Sequence, residues 1–270
     1  MDASLTERQQ REKEFHRQRA QDHKHRAAQA VALDVVSSPD RRWWNAYWST
    51  YDMLRKLDLA GKKVLVSGCG FGEDAIRVAS LGAEVYGFDI SPDSVEICRE
   101  RAQRFDCRNV HFDVMPSEKM TYEDNFFDIV LCIDILHHVD IPKTLSEFQR
   151  VLKPGGRVVG DELYTHGLIE RNFRRNALVE KVLYPLMAKY IYGSETPYIT
   201  EDEHKIDDKE FALVEQLVTL QEVKYFNVFV GRIVPDRSIS ISKIDRALLS
   251  CLGSTGRFLC GRIVFDGTVN

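Results

Sequence analysis

Residues 64–74 read Val64-Leu-Val-Ser-Gly-Cys-Gly-Phe-Gly-Glu-Asp74, and this stretch decides how the chain folds. Its apolar start predicts a buried strand, which breaks into a glycine-rich turn and then opens a helix. Gly68, Gly70 and Gly72 remove side chains where the backbone must bend sharply and approach a bound molecule closely. We therefore expect a small ligand to lie across this turn.

The residues after the glycines indicate which ligand to expect. A turn that binds pyrophosphate presents free amides and the positive end of a helix to an anion. Here Glu73 and Asp74 occupy that first turn. Two carboxylates would repel a phosphate, so the sequence favours a cationic ligand over a diphosphate.

The next two predicted strands carry acids to the same edge. Residues 84–90, EVYGFDI, form an apolar strand that ends in Asp89, about twenty residues beyond the glycines, where a carboxylate can accept both ribose hydroxyls. Ser91 and Pro92 then start a helix that runs toward Phe105. A third strand is predicted near residues 109–112, and Asp113 follows it at the same edge of the sheet. Its side chain could accept a hydrogen bond from an exocyclic amine such as that of adenine.

Strands and helices alternate from about residue 61 to residue 161, which predicts five parallel strands joined by helical crossovers. Ligands collect at the carboxyl ends of such strands. Beyond Gly231 we expect a helix near residues 244–252. Two closing strands are predicted near residues 223–230 and 258–265.

The chain resembles the class I S-adenosylmethionine-dependent methyltransferases, in particular the small-molecule, methyltransferase type 11-like members. The resemblance covers roughly residues 58–161 and is carried by four fragments in order: VLVSGCGFGED, VYGFDIS, FFDIVLCIDILHHV and VLKPGGRVV. It implies an α/β fold with a Rossmann-like, doubly wound sheet of seven strands. That sheet is mostly parallel with an antiparallel last strand, and N-terminal helices and a helical insertion between strands five and six accompany it.

The resemblance also implies a cofactor, S-adenosyl-L-methionine, and the residues that bind it. The glycine loop would hold the methionine portion, Asp89 the ribose, Asp113 and Val114 the adenine, and Ile133 would line the pocket beside the transferable methyl. The full expected set is Ser67, Gly68, Cys69, Gly70, Gly72, Asp89, Ile90, Asp113, Val114 and Ile133.

Four segments follow from this organisation: an N-terminal helical arm (1–60), the cofactor-binding core (61–162), a substrate-side insertion (163–209) and the rest of the core sheet (210–270). Up to residue 26, Leu5 and Phe15 are the only large apolar residues after the initiator. This composition predicts a solvated helix or a partly disordered tail. The resemblance suggests an alternative, a lid over the bound cofactor.

All three tryptophans lie between residues 41 and 59. Trp44, Trp48, Tyr51 and Leu54 recur at helical spacing, which predicts a helix packed on the sheet. Trp43 and Tyr47 lie on the opposite side and could face the cofactor or the substrate.

Methyl transfer from a sulfonium requires alignment, and a hydroxyl or ammonium acceptor also requires a base. The candidate bases are His137, His138, Glu162, His166, Glu201 and His204. We favour His204 and then Glu162 as the catalytic base, with a structural or pocket-lining role for His137 and His138. A mutual surface pair of Glu201 and His204 remains the alternative. The expected substrate-binding residues are Trp43, Tyr47, His138, His166 and Glu201.

Composition limits the partners. The chain has 270 residues and a formal charge of −4, which argues against a nucleic-acid partner. Its six cysteines lack metal-type spacing, so we expect no metal and a reduced, cytoplasmic protein. No leader-like or membrane-spanning run is apparent. The oligomeric state is not predictable.

The sequence thus predicts transfer of a methyl group to a small-molecule acceptor by direct in-line attack, at oxygen first and nitrogen next. One alternative is a nicotinamide-dependent oxidoreductase, which would share the glycine turn and Asp89. Another is a relative that keeps the adenosyl pocket but catalyses a cyclisation or decarboxylation. A methyltransferase acting on protein or RNA is disfavoured because no basic face is evident.

Overall fold

The computed structural model describes residues 5–166, 190–191, 205–232, 234–235 and 237–270. Numbered in chain order over these residues, the strands are β1 (Lys63–Ser67), β2 (Glu84–Asp89), β3 (Val110–Val114), β4 (Phe127–Ile133), β5 (Leu152–Leu163), β6 (Val218–Phe226) and β7 (Arg262–Val269). The α-helices are α1 (Glu7–Asp22), α2 (Asp34–Ser37), α3 (Ala46–Lys56), α4 (Glu73–Ala79), α5 (Pro92–Arg104), α6 (Ile141–Val151), α7 (Asp208–Leu217) and α8 (Ile239–Leu252).

The strands form one sheet in the order β3-β2-β1-β4-β5-β7-β6. β1 pairs in parallel with β2 and with β4, so that Val64 lies between Val85 and Ile129. After β1 the chain builds outward to β3 and then returns to place β4 on the other side of β1. The carboxyl ends of β1 and β4 therefore diverge at a topological switch point, where open α/β sheets bind ligands.

The far half of the sheet is antiparallel. β7 pairs antiparallel with both β5 and β6, which confirms the predicted fold class. The predicted bounds were wrong in this half. β6 spans residues 218–226 because it continues directly from the end of α7, and residues 253–258, near the expected start of the last strand, form a 3₁₀ turn instead.

Helices cover both faces of the sheet. On one face α3 packs with its stripe inward, and Trp48, Tyr51 and Leu54 are buried as predicted. Trp44 precedes this helix. On the other face α6 and α7 bury Phe148 and Val214. Two apolar layers therefore hold the sheet rigid beneath its carboxyl edge.

The helix that follows β2 begins as the sequence predicts. Ser91 is its N-cap and accepts a hydrogen bond from the backbone N–H of Ser94 at 3.3 Å, and Pro92 lies in the first turn. α6 begins similarly at Asp140, which accepts from the N–H of Lys143 at 3.2 Å. Both caps fix helix starts at the ligand edge.

The N-terminal arm forms a helix, as one of the two predictions stated, but this helix packs on the core, so the expectation that it is solvated is wrong. α1 starts at a capping box of Thr6 and Gln9. It buries Gln9 and Glu12, polar side chains that propensity and hydropathy assign to solvent, together with Ala20. The polar groups become buried because they meet polar partners of the core, described below.

Within the residues that the structure describes, none of the helices has the length and apolar character needed to cross a bilayer.

Candidate active site

The three glycines of the loop after β1 have positive φ angles, of 65°, 53° and 81° at Gly68, Gly70 and Gly72. A Cβ on Gly68 would lie 2.5 Å from Cδ1 of Ile135, and one on Gly72 would lie 3.1 Å from Sγ of Cys98. A Cβ on Gly70 would meet no atom of the described residues within 4 Å. Packing therefore explains the first and third glycines, whereas Gly70 borders open space that a ligand can approach.

Asp89 lies against this loop. Its carboxylate is buried and accepts hydrogen bonds from the N–H of Gly70 at 3.1 Å and from the N–H of Ser91 at 2.9 Å. Burial raises the pKa of Asp89 above its ordinary value, against the opposing influence of His16 and the two N–H groups. Two accepted bonds leave further lone pairs on this carboxylate for hydroxyl groups.

The third acid lies farther along the same edge. Asp113 accepts a hydrogen bond from the hydroxyl of Tyr122 at 3.0 Å. Val114, which follows it, is partly exposed, with 43% of its surface accessible. The backbone N–H of Met115 donates to the carbonyl of Asp89 at 3.2 Å. The two acid-bearing strands are thus tied together at the edge where an adenosyl group is expected.

The acids of the first turn of α4 are turned toward protein cations and hydroxyls. Glu73 forms ion pairs with Arg101 at 2.9 Å and with Arg26 at 3.1 Å. Burial opposes ionisation of Glu73, yet the bonds from these guanidinium groups lower its pKa. The expectation that its charge faces the ligand is therefore wrong.

Asp74 is engaged in the same way. It accepts hydrogen bonds from the hydroxyls of Tyr47 and, at 2.6 Å, of Tyr51. Burial raises the pKa of Asp74. Arg77 donates to the Tyr47 oxygen at 2.6 Å, so Tyr47 serves here as a link in a network on α3 and α4. Trp43 is half exposed and packs edge-on against Trp44.

Glu162 fixes the loop that follows β4. Oε1 accepts from the N–H groups of Ile135 at 2.9 Å and of Leu136 at 2.8 Å, and Oε2 lies 2.9 Å from Nδ1 of His137. The side chain is fully buried. These three contacts show a carboxylate that shapes the loop beside Ile133, the residue expected near the transferable methyl.

The same region holds a group of possible metal ligands. Asp134, His137 and Glu162 each offer an atom within 4.8 Å of the others. Both oxygens of Glu162 already accept N–H donors, and Asp134 pairs with the guanidinium of Arg262 at 2.6 Å. A divalent cation would have to displace these donors and approach a fixed positive charge, so the arrangement fits a hydrogen-bonded cluster better than a metal site.

Arg262 also joins Asp134 to Asp161, which lies near the end of β5. Nε of Arg262 donates to Asp161 at 2.5 Å, and the Thr50 hydroxyl donates to the other carboxylate oxygen at 3.2 Å. Asp161 has no exposed surface. Burial raises its pKa to about 6, although the charge of Arg262 acts in the opposite direction.

The remaining predicted site residues lie partly outside the described structure. His166 pairs with Asp208 at 3.1 Å, and its ring contacts that of Phe258, with a centroid distance of 4.7 Å. Glu201 and His204 lie outside the described residues. The favoured base, His204, therefore stays a prediction.

The resemblance suggested a lid, but sequence reasoning did not identify the residues by which α1 contacts this edge. At its start, Arg8 donates to the carbonyl of His138, and Gln9 donates to Glu118 at 2.7 Å. Near its end, the ring of His23 stacks on Phe71 of the glycine loop, at 5.7 Å between centroids. α1 thus bridges the loop after β4 and the loop after β1. The only signal in the sequence was the spacing of Glu12 and His16, four residues apart on one helix face.

The chain matches known methyltransferases. Residues 58–212 match the family model described as a methyltransferase domain. The chain is 34% identical over 160 residues to demethylmenaquinone methyltransferase of Tropheryma whipplei (strain Twist), a match that covers 57% of this chain and 65% of the relative. It is 37% identical over 132 residues to ubiquinone biosynthesis O-methyltransferase of Acinetobacter baumannii (strain ACICU), a match that covers 43% of this chain and 55% of the relative. Both matches span less than two thirds of the relatives' own lengths.

The fold is shared with solved structures. Geranyl diphosphate C-methyltransferase from Streptomyces coelicolor A3(2), solved with Mg²⁺, geranyl diphosphate and S-adenosyl-L-homocysteine, superposes with a TM-score of 0.62 at 14% identity over 98% of this chain and 99% of that one. At this identity the likeness concerns the fold. The family model, however, covers more than half of the chain. The chain therefore belongs to the methyltransferase-domain family, and the prediction of a class I S-adenosylmethionine-dependent methyltransferase is confirmed at the level of the family.

Proposed function

We propose that this protein transfers the methyl group of S-adenosyl-L-methionine to a hydroxyl of a small aromatic acceptor of the quinol class. The observation that carries the proposal is the pairing of Gly70 with Asp89. The Gly70 amide is held on the Asp89 carboxylate at 3.1 Å, and the space where a Gly70 side chain would lie is open. A ligand that lies over Gly70 can place its ribose hydroxyls on Asp89.

The rest of the edge accommodates the other parts of that cofactor. The loop residues Ser67, Cys69 and Gly72 would hold its methionine portion, and Asp113 and Val114 would lie beside its adenine. Ile133, shaped by the Glu162 contacts of the next loop, would adjoin the sulfonium. The protein's task is alignment, since the sulfonium itself is the electrophile.

The antiparallel half of the sheet weighs against a nicotinamide-dependent oxidoreductase. Dinucleotide-binding sheets of that type use a second, parallel mononucleotide-binding half. Here β5 is followed in the sheet by β7 and β6, and β7 runs antiparallel to both neighbours. The charges of Glu73 and Asp74 do not bear on this choice, because protein groups engage both carboxylates. The sheet topology is therefore what disfavours a dinucleotide.

The acceptor class comes from the relatives. One is named for demethylmenaquinone and the other for O-methylation in ubiquinone biosynthesis. Both names refer to quinones, whose reduced forms are phenols, and only the second name specifies oxygen as the methylated atom. We therefore place oxygen first as the acceptor atom and nitrogen next.

We also infer that α1 covers the bound cofactor. It lies across the edge between the loop after β4 and the glycine loop, and it contacts both. A helix in this position would exclude water from the sulfonium. The six cysteines are free thiols, which supports a reducing compartment such as the cytoplasm.

A transfer assay tests the proposed reaction. The full chain is incubated with tritiated S-adenosyl-L-methionine and, separately, with 3,4-dihydroxybenzoate, a demethylated ubiquinol analogue, aniline and demethylmenaquinol, and products are identified by mass spectrometry. We expect label on a phenolic oxygen. Asp89→Asn should abolish transfer, whereas Asp106→Asn, at an exposed aspartate with positive φ, should not. Label only on nitrogen or carbon, or no label while the cofactor binds, would contradict the proposal.

A further inference from the structure

An acid and two imidazoles meet where α1 packs against the loop after β4. Oε2 of Glu12 lies 3.4 Å from Nδ1 of His138 and 3.7 Å from Nε2 of His16. The side chains of Glu12 and His138 each expose only 6% of their surface. Burying an acid and a histidine together is costly unless they interact, so their placement calls for an explanation.

The position of His138 relates it to the reacting groups. It ends the 3₁₀ turn Leu136–His138 that follows β4, and Ile135 of the same loop packs over Gly68. Its neighbour in the cluster, His16, lies near enough to Asp89 to act against the burial that raises the pKa of that carboxyl. The cluster therefore extends from the ribose-binding acid to the end of β4, where the methyl group is expected.

We propose that His138, in place of the His204 favoured from the sequence, is the base that accepts the acceptor's hydroxyl proton and that Glu12, supplied by the N-terminal helix, is its positioning residue. This inference rests on the proposed methyl transfer to a hydroxyl. As the oxygen attacks, the O–CH₃ bond forms and the S–CH₃ bond breaks, with the electron pair moving to sulfur. The hydroxyl proton passes to Nε2 of His138, and S-adenosylhomocysteine and the methyl ether leave.

Glu12 determines which nitrogen can accept that proton. A carboxylate facing Nδ1 favours the tautomer with hydrogen on Nδ1, which puts the acceptor lone pair on Nε2. The same carboxylate stabilises the imidazolium once the proton has been transferred. A separation of 3.4 Å is long for a hydrogen bond, and such contacts commonly shorten when substrate binds.

The other charged groups around His138 are consistent with this role. The ring of His137 lies 4.3 Å away, between centroids, and is itself held by Glu162. Arg8 donates to the His138 carbonyl and pairs with Glu118, so its charge is balanced. His16 shares Glu12 with His138. Glu162 is a poorer base, because three N–H groups occupy its oxygens.

The first test compares full-length variants in the transfer assay. His138→Gln should lower kcat by roughly 10²–10⁴-fold while the calorimetric affinity for S-adenosylhomocysteine stays within threefold. Glu12→Gln should lower kcat by about tenfold and change the acidic limb of the pH profile. Glu14→Gln, two residues away on the exposed face of α1, should match the parent protein.

A pre-ionised acceptor separates a base from a merely structural residue. The hydroxyl of 4-nitrocatechol is largely ionised near neutral pH, so its methylation needs no base. The loss in His138→Gln should therefore be much smaller with 4-nitrocatechol than with 3,4-dihydroxybenzoate. An equal loss with both acceptors, or kcat within threefold of the parent protein, overturns the inference.

The tautomer of His138 can be determined in the absence of a methyl acceptor. A long-range ¹H–¹⁵N spectrum of the S-adenosylhomocysteine complex should show His138 with hydrogen on Nδ1 and a bare Nε2, and Glu12→Leu should lose this preference. Hydrogen on Nε2 of His138 in the parent complex would refute the proposal that His138 acts as the base. Failure of S-adenosylhomocysteine to bind at all would instead refute the proposed function.

Discussion

At the scale of single residues, the site depends on a glycine that packing does not require. Gly70 and Gly155 both have positive φ, 53° and 74°, and a Cβ on either would meet nothing within 4 Å in the part of the chain that the structure describes. Only Gly70 borders the proposed cofactor. Substituting alanine at Gly155 therefore measures the cost of backbone strain alone, whereas the same change at Gly70 adds any obstruction of the ligand.

We predict that Gly70→Ala and Gly155→Ala each cost about 1–2 kcal/mol of stability, because alanine is strained in the left-handed region. Only Gly70→Ala should weaken S-adenosylhomocysteine binding, by at least roughly tenfold, since about 1.4 kcal/mol of lost contact suffices. Thermal denaturation and calorimetry on both variants measure the two effects. Equal affinities would mean that the ligand does not cross Gly70.

The buried Asp161 makes a pH prediction. Its pKa in the folded protein is about 6, above the ordinary value of roughly 3.9. The folded state therefore binds a proton more tightly than the unfolded state. The associated stability is fully present below about pH 4 and is lost as pH rises through about 6, by up to about 3 kcal/mol.

Asp161→Asn removes this group and tests the sign. Between pH 4.5 and 7 the free energy of unfolding of the parent protein should fall relative to that of the variant. Denaturant unfolding at several pH values measures the difference. A difference that is flat, or that changes in the opposite direction, would show that Arg262 holds Asp161 ionised throughout.

Residue-level reasoning succeeded where the signal was local. The glycines and Asp89 could be placed because strand, turn and acid follow each other within a short stretch. It failed for Glu12, Glu73 and Asp74. Their partners are contributed by other elements, as with His138, which is distant in the chain, and a charged helix face is ordinarily solvated.

At the scale of elements, α1 is the part whose role was least predictable. Its helical character follows from propensity and the Thr6 cap, but its burial depends on Glu118 and Phe71 of the core. The strand bounds near residues 218–226 were missed for a similar reason. Apolar alternation locates a strand, whereas pairing with β7 sets where it starts and stops.

Deleting residues before Ala27 should raise the dissociation constant for S-adenosylhomocysteine by at least roughly tenfold and speed its release, because the cover over the cleft is lost. Stopped-flow and calorimetric titration measure both. Because the deletion also exposes Phe71, a milder double variant is compared with it. Arg8→Ala with Gln9→Ala releases the start of α1 from Glu118 and from the His138 carbonyl, and it should show the same trend.

The matched control substitutes Glu14 and Arg17, which pair with each other on the exposed face of α1. Removing this pair should leave cofactor affinity unaltered. If the deletion binds as tightly as the full chain, α1 is not a lid.

At the scale of the whole molecule, the sheet order was predictable in its parallel half, because helical crossovers force parallel neighbours. The antiparallel end followed from the resemblance to the family. Contacts between the arm and the sheet edge could not be foreseen, since they join residues far apart in the chain, such as 48 positions for His23 and Phe71 and 109 for Gln9 and Glu118. The topology then places Gly70, Asp89, Ile133 and His138 at one edge.

The central claim is that this edge binds an adenosyl sulfonium compound and not a dinucleotide. The most direct measurement is calorimetric titration of the ligand-free full chain with S-adenosyl-L-homocysteine and, separately, with NAD⁺. We predict saturable one-to-one binding of S-adenosyl-L-homocysteine and none of NAD⁺. Saturation by NAD⁺ with no heat from S-adenosyl-L-homocysteine would contradict the account.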